Sequence, residues 1–271
     1  MTKALFYKSM MKRIIPFILA IGLTACGTSQ KTVFEGTPKS DAEAEYREAV
    51  ETLESGSYED SVKAFHEIKL KYPYATRWAT LCDLRIADAY REAGEYAQAA
   101  VSYQEFIRTY PAHAEIPYAT YQAANCYYEM MPSDMFILPD PWQRDRKSTS
   151  QAETAFKVFL KRYPNDPNAA KAKEQLAEVQ MRLANHELYV AEYNFKHEAY
   201  RGTVNRILGL IETYPHAEII PKAHILLAHG YIKLNDPITA KKTLMQLIEK
   251  YPDSSYAQDA KTWINNNPDV P

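Results

Sequence analysis

Apolar positions recur along this chain at a fixed distance ahead of a repeated Tyr-Pro pair. The pair stands at Tyr72-Pro73, Tyr110-Pro111, Tyr163-Pro164, Tyr214-Pro215 and Tyr251-Pro252, at intervals of 38, 53, 51 and 37 residues. Fourteen residues before each Tyr stand Tyr58, Tyr96, Thr149, Tyr200 and Pro237. Eleven before stand Ser61, Ala99, Ala152, Thr203 and Ala240, all small. Seven before stand Phe65, Tyr103, Phe156, Ile207 and Leu244, and four before stand Ile68, Phe106, Phe159, Leu210 and Leu247, all large. Spacings of four and three place these on one stripe of a helix. The small residue lets a neighbouring helix approach while the large ones fill the space beside it. Each Pro then ends its helix, because the residue before a proline is pushed out of the α region.

The turns ahead of these helices share the register. Gly56-Ser57-Tyr58 and Gly94-Glu95-Tyr96 place a glycine where a helix must stop and reverse. Asn235-Asp236-Pro237 does the same with an N-cap and a proline at the first helical position. Partner helices lie upstream, with Ile86-Ala87 and Tyr90 in one copy and Leu227-Ala228 and Tyr231 in another. These resemble the first-helix stripe of tetratricopeptide units, whose length is about 34 residues. A single hairpin cannot bury its apolar face, so the copies must stack. The expected fold is all-α: a superhelical stack of about five tetratricopeptide-like hairpins with a capping helix over Tyr256 to Asn267.

Two segments interrupt the pattern. Met131 to Ser148 carries three prolines, Trp142 and a charged cluster, and separates the two helices of the third hairpin. From Asn168 to about Lys196 no Gly or Pro occurs, which predicts a helix longer than a repeat needs. The expected organisation is therefore a leader over 1–25, a tether over 26–40, hairpins 1–3 over 41–166 with an insertion at 131–148, and hairpins 4–5 over 167–271. The helix at 168–196 would join the two groups.

The first 25 residues hold Lys3, Lys8, Lys12 and Arg13 and no acid, followed by an apolar run from Ile14 to Leu23. A basic head, a short apolar centre and small residues at the exit describe a secretory signal, too short to span a bilayer. An ordinary cleaved signal and a short buried helix are the other readings. Leu23-Thr24-Ala25-Cys26 resembles the lipobox of bacterial lipoproteins, which implies diacylglycerol on the Cys26 thiol and an N-acyl chain such as palmitate on its amine. Two or more chains anchor stably where one does not. Gly27 stands where many inner-membrane lipoproteins carry Asp, which implies the periplasmic face of the outer membrane. Removing the leader's four cations leaves 28 Lys+Arg against 34 Asp+Glu. That balance points away from nucleic acid as a partner. Cys82 and Cys126 remain, either as buried thiols in apolar helical stretches or as a disulfide that the periplasm permits.

With the register fixed, the chain resembles the BamD family, lipoproteins of the machinery that folds β-barrel proteins into the outer membrane. The stretches that carry the resemblance are Gln98-Ala99-Ala100 to Phe106-Ile107-Arg108, Arg144-Asp145-Arg146, Ala155-Phe156 to Arg162-Tyr163-Pro164, Tyr189-Val190-Ala191-Glu192-Tyr193, and Val204-Asn205-Arg206 with Gly209. The resemblance implies C-terminal hairpins that dock the periplasmic domains of the barrel-forming subunit, through Tyr189, Glu192, Tyr193 and Arg206. Arg206 is either an ion-pairing anchor for that partner or an internal partner of Glu192. N-terminal hairpins would receive unfolded barrel clients, and Tyr74, Arg77 and Trp78 are candidate groove residues, with core packing the other reading of Trp78. Accessory lipoproteins are further implied partners, although the insertion after Met131 and the short C-terminus depart from well-known members.

No Gly-rich phosphate loop or Gly-x-Ser-x-Gly nucleophile motif occurs, and no catalytic residue suggests itself. His224 and His229 are the closest histidines, at i and i+5, and metal pairs on helices want i+3 or i+4. The expectation is a scaffold without cofactor or metal. The alternative is another periplasmic tetratricopeptide lipoprotein, one that links cell-wall synthesis or division to the envelope.

Overall fold

The computed structural model describes residues 38–132, 144 and 146–270. The leader, Cys26 and most of the tether and insertion lie outside the described residues. Among the described residues the chain forms eleven helices and no strand. They are α1 (Pro38–Glu54), α2 (Tyr58–Lys71), α3 (Thr76–Glu92), α4 (Tyr96–Thr109), α5 (Ile116–Glu129) and α6 (Lys147–Arg162). The series continues with α7 (Ala169–Lys196), α8 (Tyr200–Thr213), α9 (Ile220–Lys233), α10 (Pro237–Lys250) and α11 (Ser255–Asn266). α1 begins at Pro38, inside the stretch expected as tether.

The Tyr-Pro signal works as its chemistry requires. Tyr72, Tyr110, Tyr163, Tyr214 and Tyr251 are the C-caps of the five second helices, with φ between −135° and −122° and ψ between 56° and 59°. The prolines that follow force that departure from α geometry. At the entry to four second helices the chain turns through a left-handed residue: Gly56 (φ 87°), Gly94 (φ 77°), Glu198 (φ 62°) and Asn235 (φ 61°). Glycine and asparagine accept that region readily, and glutamate accepts it with strain. Asp236 caps α10 by accepting from the Thr239 backbone N–H at 3.0 Å.

All fifteen stripe residues at the −11, −7 and −4 positions are at most 3% exposed. They lie in five cores, each built from three consecutive helices. The first joins α1–α3 (Tyr46, Phe65, Trp78, Cys82), and the second α3–α5 (Leu84, Tyr103, Phe106, Ile116). The third joins α5–α7 (Tyr121, Phe156, Phe159, Val179), the fourth α7–α9 (Leu188, Ile207, Leu210, Leu227), and the last α9–α11 (Ala228, Leu244, Leu247, Ala260). Helices α3, α5, α7 and α9 therefore serve two cores each, which is why one hairpin is insufficient alone. First helices also touch across hairpins, α1 on α3, α5 on α7 and α7 on α9. The first helices thus lie along one side of the stack and the second helices along the other. The long α7 gives Val179 and Leu183 to one core and Ala184, Leu188 and Ala191 to the next, so it runs as a continuous spine through both.

Cys82 and Cys126 are free, fully buried and in different cores. Burial pushes both thiols up to about 12. Thiolate is the reactive form, so a maleimide reagent should label neither position in native protein and both after denaturation. Labelling of the native protein at either site would contradict this packing.

Candidate docking surface

An acid at position −27 from three of the capping tyrosines builds the site. Glu45 and Asp83 occupy it in the first two hairpins and accept from the Tyr72 and Tyr110 hydroxyls, each at 2.8 Å. Lys71 adds an ion pair to Glu45, and Lys69 one to Asp83. In the fourth hairpin the same register carries Glu187 on α7. Its carboxylate turns to two arginines instead: Arg206 Nη1 on α8 donates to Oε2 at 2.6 Å, and Arg146 Nη1 at the start of α6 donates to Oε1 at 2.6 Å. The Glu187 side chain is 17% exposed, and that of Arg206 38%. One partly buried acid thus clamps two cations from two other helices, and burial together with Glu153 and Glu187 raises the Tyr214 hydroxyl to about 12.

This clamp borders an open groove of about 570 Å³ between α7 and α8, lined by Glu187, Asn194, Gly202, Asn205, Arg206 and Gly209 among others. Within the described residues Arg206 uses only Nη1. Its remaining N–H groups are available at the groove, in a fixed orientation.

The four residues expected to form one docking patch are split. At about 100° per residue on a helix, Glu192 lies roughly 140° around α7 from Glu187, and Tyr189 and Tyr193 roughly 200–240°. Arg206 consequently pairs with Glu187 and not with Glu192. Glu192 pairs with Lys222 of α9 at 2.7 Å. Tyr189 and Tyr193 are 36% and 53% exposed on that other side of α7, where the Tyr193 ring stacks on His197 at 4.0 Å. The C-terminal half therefore offers two faces: a groove with Arg206, and an aromatic face with Tyr189, Glu192 and Tyr193.

The N-terminal set divides as well. Tyr74 is 95% exposed in the turn before α3, and Arg77 is exposed. Trp78 belongs to the core, 6% exposed and packed on Tyr46 at 5.1 Å with the Arg77 guanidinium 4.9 Å over its ring. The reason is its spacing, since Trp78, Cys82 and Ile86 make a four-residue stripe into the first core. Of its two readings, groove or core, Trp78 takes the core.

No cluster of three His, Cys, Asp or Glu side chains assembles a metal site among the described residues. His224 is buried with Nδ1 2.9 Å from the Ile220 carbonyl. No described helix is long and apolar enough to cross a membrane.

The family described as outer membrane lipoprotein (YfiO) matches residues 38–237, from α1 to the start of α10. The chain belongs to this family. A tetratricopeptide repeat also matches residues 226–254, the fifth hairpin. Among relatives, the outer membrane protein assembly factor BamD of Neisseria gonorrhoeae is 28% identical over 93% of this chain and 95% of its own length. The BamD protein of Caulobacter vibrioides is 25% identical over 94% of this chain and 80% of its own. That of Vibrio cholerae is 27% identical over 85% and 95%. The match spans both the groove and the aromatic face.

Sequence reasoning missed Glu187, Arg146 and Asn194 as parts of the site. Glu187 carried a usable signal, the −27 register it shares with Glu45 and Asp83. Arg146 was visible only as part of the Arg144-Asp145-Arg146 stretch of the resemblance, without a partner, and Asn194 carried no signal, because their places depend on how α6 and α7 pack.

Proposed function

We propose that this protein is an outer-membrane protein assembly factor, a scaffold that docks the barrel-forming subunit of the β-barrel assembly machinery through that subunit's periplasmic domains. Family membership along most of the chain and relatives named as assembly factors support the role. The observation that carries the docking is the Arg206 guanidinium, held by Glu187 at an open groove with donors to spare. A carboxylate on the partner would complete the ion pair, and the prior clamp by Glu187 lowers the ordering cost of binding. Tyr189 and Tyr193 would add apolar contact on the neighbouring face. Tyr74 and Arg77 are the surface residues through which the N-terminal hairpins would meet unfolded client segments. The work done is recognition and geometry, not catalysis, and no cofactor enters.

The anchor in this reading is diacylglycerol with an N-acyl chain on Cys26, holding the stack at the periplasmic face of the outer membrane beside accessory lipoproteins. Isothermal titration of the detergent-solubilised protein with the purified barrel-forming subunit tests the docking. Saturable one-to-one binding supports it, and absence of binding rejects it.

A further inference from the structure

The second and fourth hairpins fill the same register in two ways. In the second, Asp83 on α3 takes a cation from the helix before it and a phenol from the helix after it. Lys69 of α2 pairs with Oδ1, and the Tyr110 hydroxyl at the end of α4 donates to Oδ2 at 2.8 Å. In the fourth, Glu187 on α7 takes Arg146 from the start of α6 at Oε1. Where the second hairpin has a phenol, it takes Arg206 of α8 at Oε2, each contact at 2.6 Å. A phenol adds no charge, so Asp83 and Lys69 balance one to one. Glu187 meets two cations, and one positive charge in this group stays uncompensated.

Arg146 is not placed for the good of its own helix. It is the N-cap residue of α6 and makes no side-chain cap there. A hydroxyl or carboxylate would accept from the first N–H groups, and the positive end of the helix dipole disfavours a cation. Its place is nonetheless fixed. Arg182 Nη1 donates to the Pro132 carbonyl at 2.6 Å, so the chain leaving α5 and the chain entering α6 are both fastened to α7, at Arg182 and Glu187. The Arg146 side chain is half exposed, and its ion pair is with Glu187.

We infer that Arg146 is a positioning residue for the docking: by occupying Oε1 and neutralising Glu187, it keeps the Arg206 guanidinium open. An arginine beside a carboxylate with both oxygens free tends to close on it with two parallel N–H···O bonds. Arg146 denies Arg206 the second oxygen. Arg206 is therefore bonded to Glu187 through Nη1 alone, and its other edge and its charge remain for an acid outside the chain. Arg146 need not touch the partner, because its effect passes through Glu187. This rests on the docking reading of Arg206 and adds the residue that keeps that arginine open.

The test is a double-mutant cycle in the full-length protein in mild detergent, titrated with the purified barrel-forming subunit. Arg146→Gln should raise Kd about three- to fivefold, the size of one exposed ion pair, with the circular dichroism unchanged. Arg146→Lys keeps a cation on Oε1, a single contact that lysine can make, and should stay within about twofold of wild type. In the Glu187→Gln background Arg146→Gln should change Kd no further, because no carboxylate is left to close on Arg206. Equal weakening by Arg146→Gln in both backgrounds would make Arg146 a remote charge and overturn the inference. An unchanged Kd for the single variant overturns it as well, and so does an Arg146→Lys protein as weak as Arg146→Gln. All three outcomes leave the docking standing, whereas absence of wild-type binding overturns both. If Arg146→Gln does not fold, Arg146→Met, which keeps the apolar stem, takes its place in the same cycle.

Discussion

Asp88→Ala is expected to lower the unfolding free energy by about 3–5 kcal/mol, because it leaves buried polar groups without a partner. Asp88 lies on α3 and is 3% exposed. Its Oδ1 accepts from the Tyr103 hydroxyl of α4 at 2.5 Å and the Tyr118 hydroxyl of α5 at 2.9 Å, and its Oδ2 from Arg85 Nη1 at 2.6 Å. Arg85 Nε in turn donates to the Tyr46 hydroxyl of α1 at 3.2 Å. One carboxylate therefore ties hairpins one, two and three. Burial and then the Asp88 charge raise both tyrosines, Tyr118 to about 12, so each stays a donor across the physiological range. Tyr103→Phe removes one hydrogen bond to a charge and should cost about 1.5–3 kcal/mol. The double variant should cost less than the sum of the two, since the fully buried phenol oxygen goes with its acceptor. Urea denaturation of the four proteins measures this. Additive losses, or a loss below about 1 kcal/mol for Asp88→Ala, would show that the network does not hold the hairpins together.

Arg206→Glu carries the second large effect, in binding. Reversing one partner of a hydrogen-bonded charge pair at an interface costs about 2–5 kcal/mol, or upwards of roughly thirtyfold in Kd. The new carboxylate would also stand beside Glu187. Stability should barely change: both arginines are substantially exposed, and such pairs contribute about 0–1 kcal/mol. Glu187→Gln separates holding from contact. It keeps Arg206 but removes the charge that orients it, so Kd should rise less than for Arg206→Glu. Titration against the barrel-forming subunit, with circular dichroism of each variant, reads both quantities. Undiminished affinity of a folded Arg206→Glu protein sinks the anchor role. So does lost helicity, which would make the residue structural.

The stack was legible in the sequence because burial in a helical repeat obeys a local period. The Tyr-Pro register located five C-caps and fifteen core residues, each settled by neighbours three or four positions away. What escaped depends on position around a helix or on long-range packing. Arg206 meets an acid nineteen residues upstream, and choosing Glu187 over Glu192 takes the angle around α7, not proximity in sequence. Trp78 allowed two readings beside Tyr74 and Arg77, groove or core, and its spacing from Cys82 and Ile86 goes with the core. Glu198 takes the left-handed turn position that glycine holds in two other hairpins, with no residue-type signal to mark it.

Co-purification from native membranes tests the assembly role most directly. The full-length protein carries a C-terminal tag, the membranes are solubilised in mild detergent, and mass spectrometry identifies what is retained. The expected result is a large outer-membrane barrel with periplasmic domains, recovered near one to one with the tagged chain. Peptidoglycan enzymes or division proteins, recovered without that barrel, would leave the helical stack intact and contradict its role in barrel assembly.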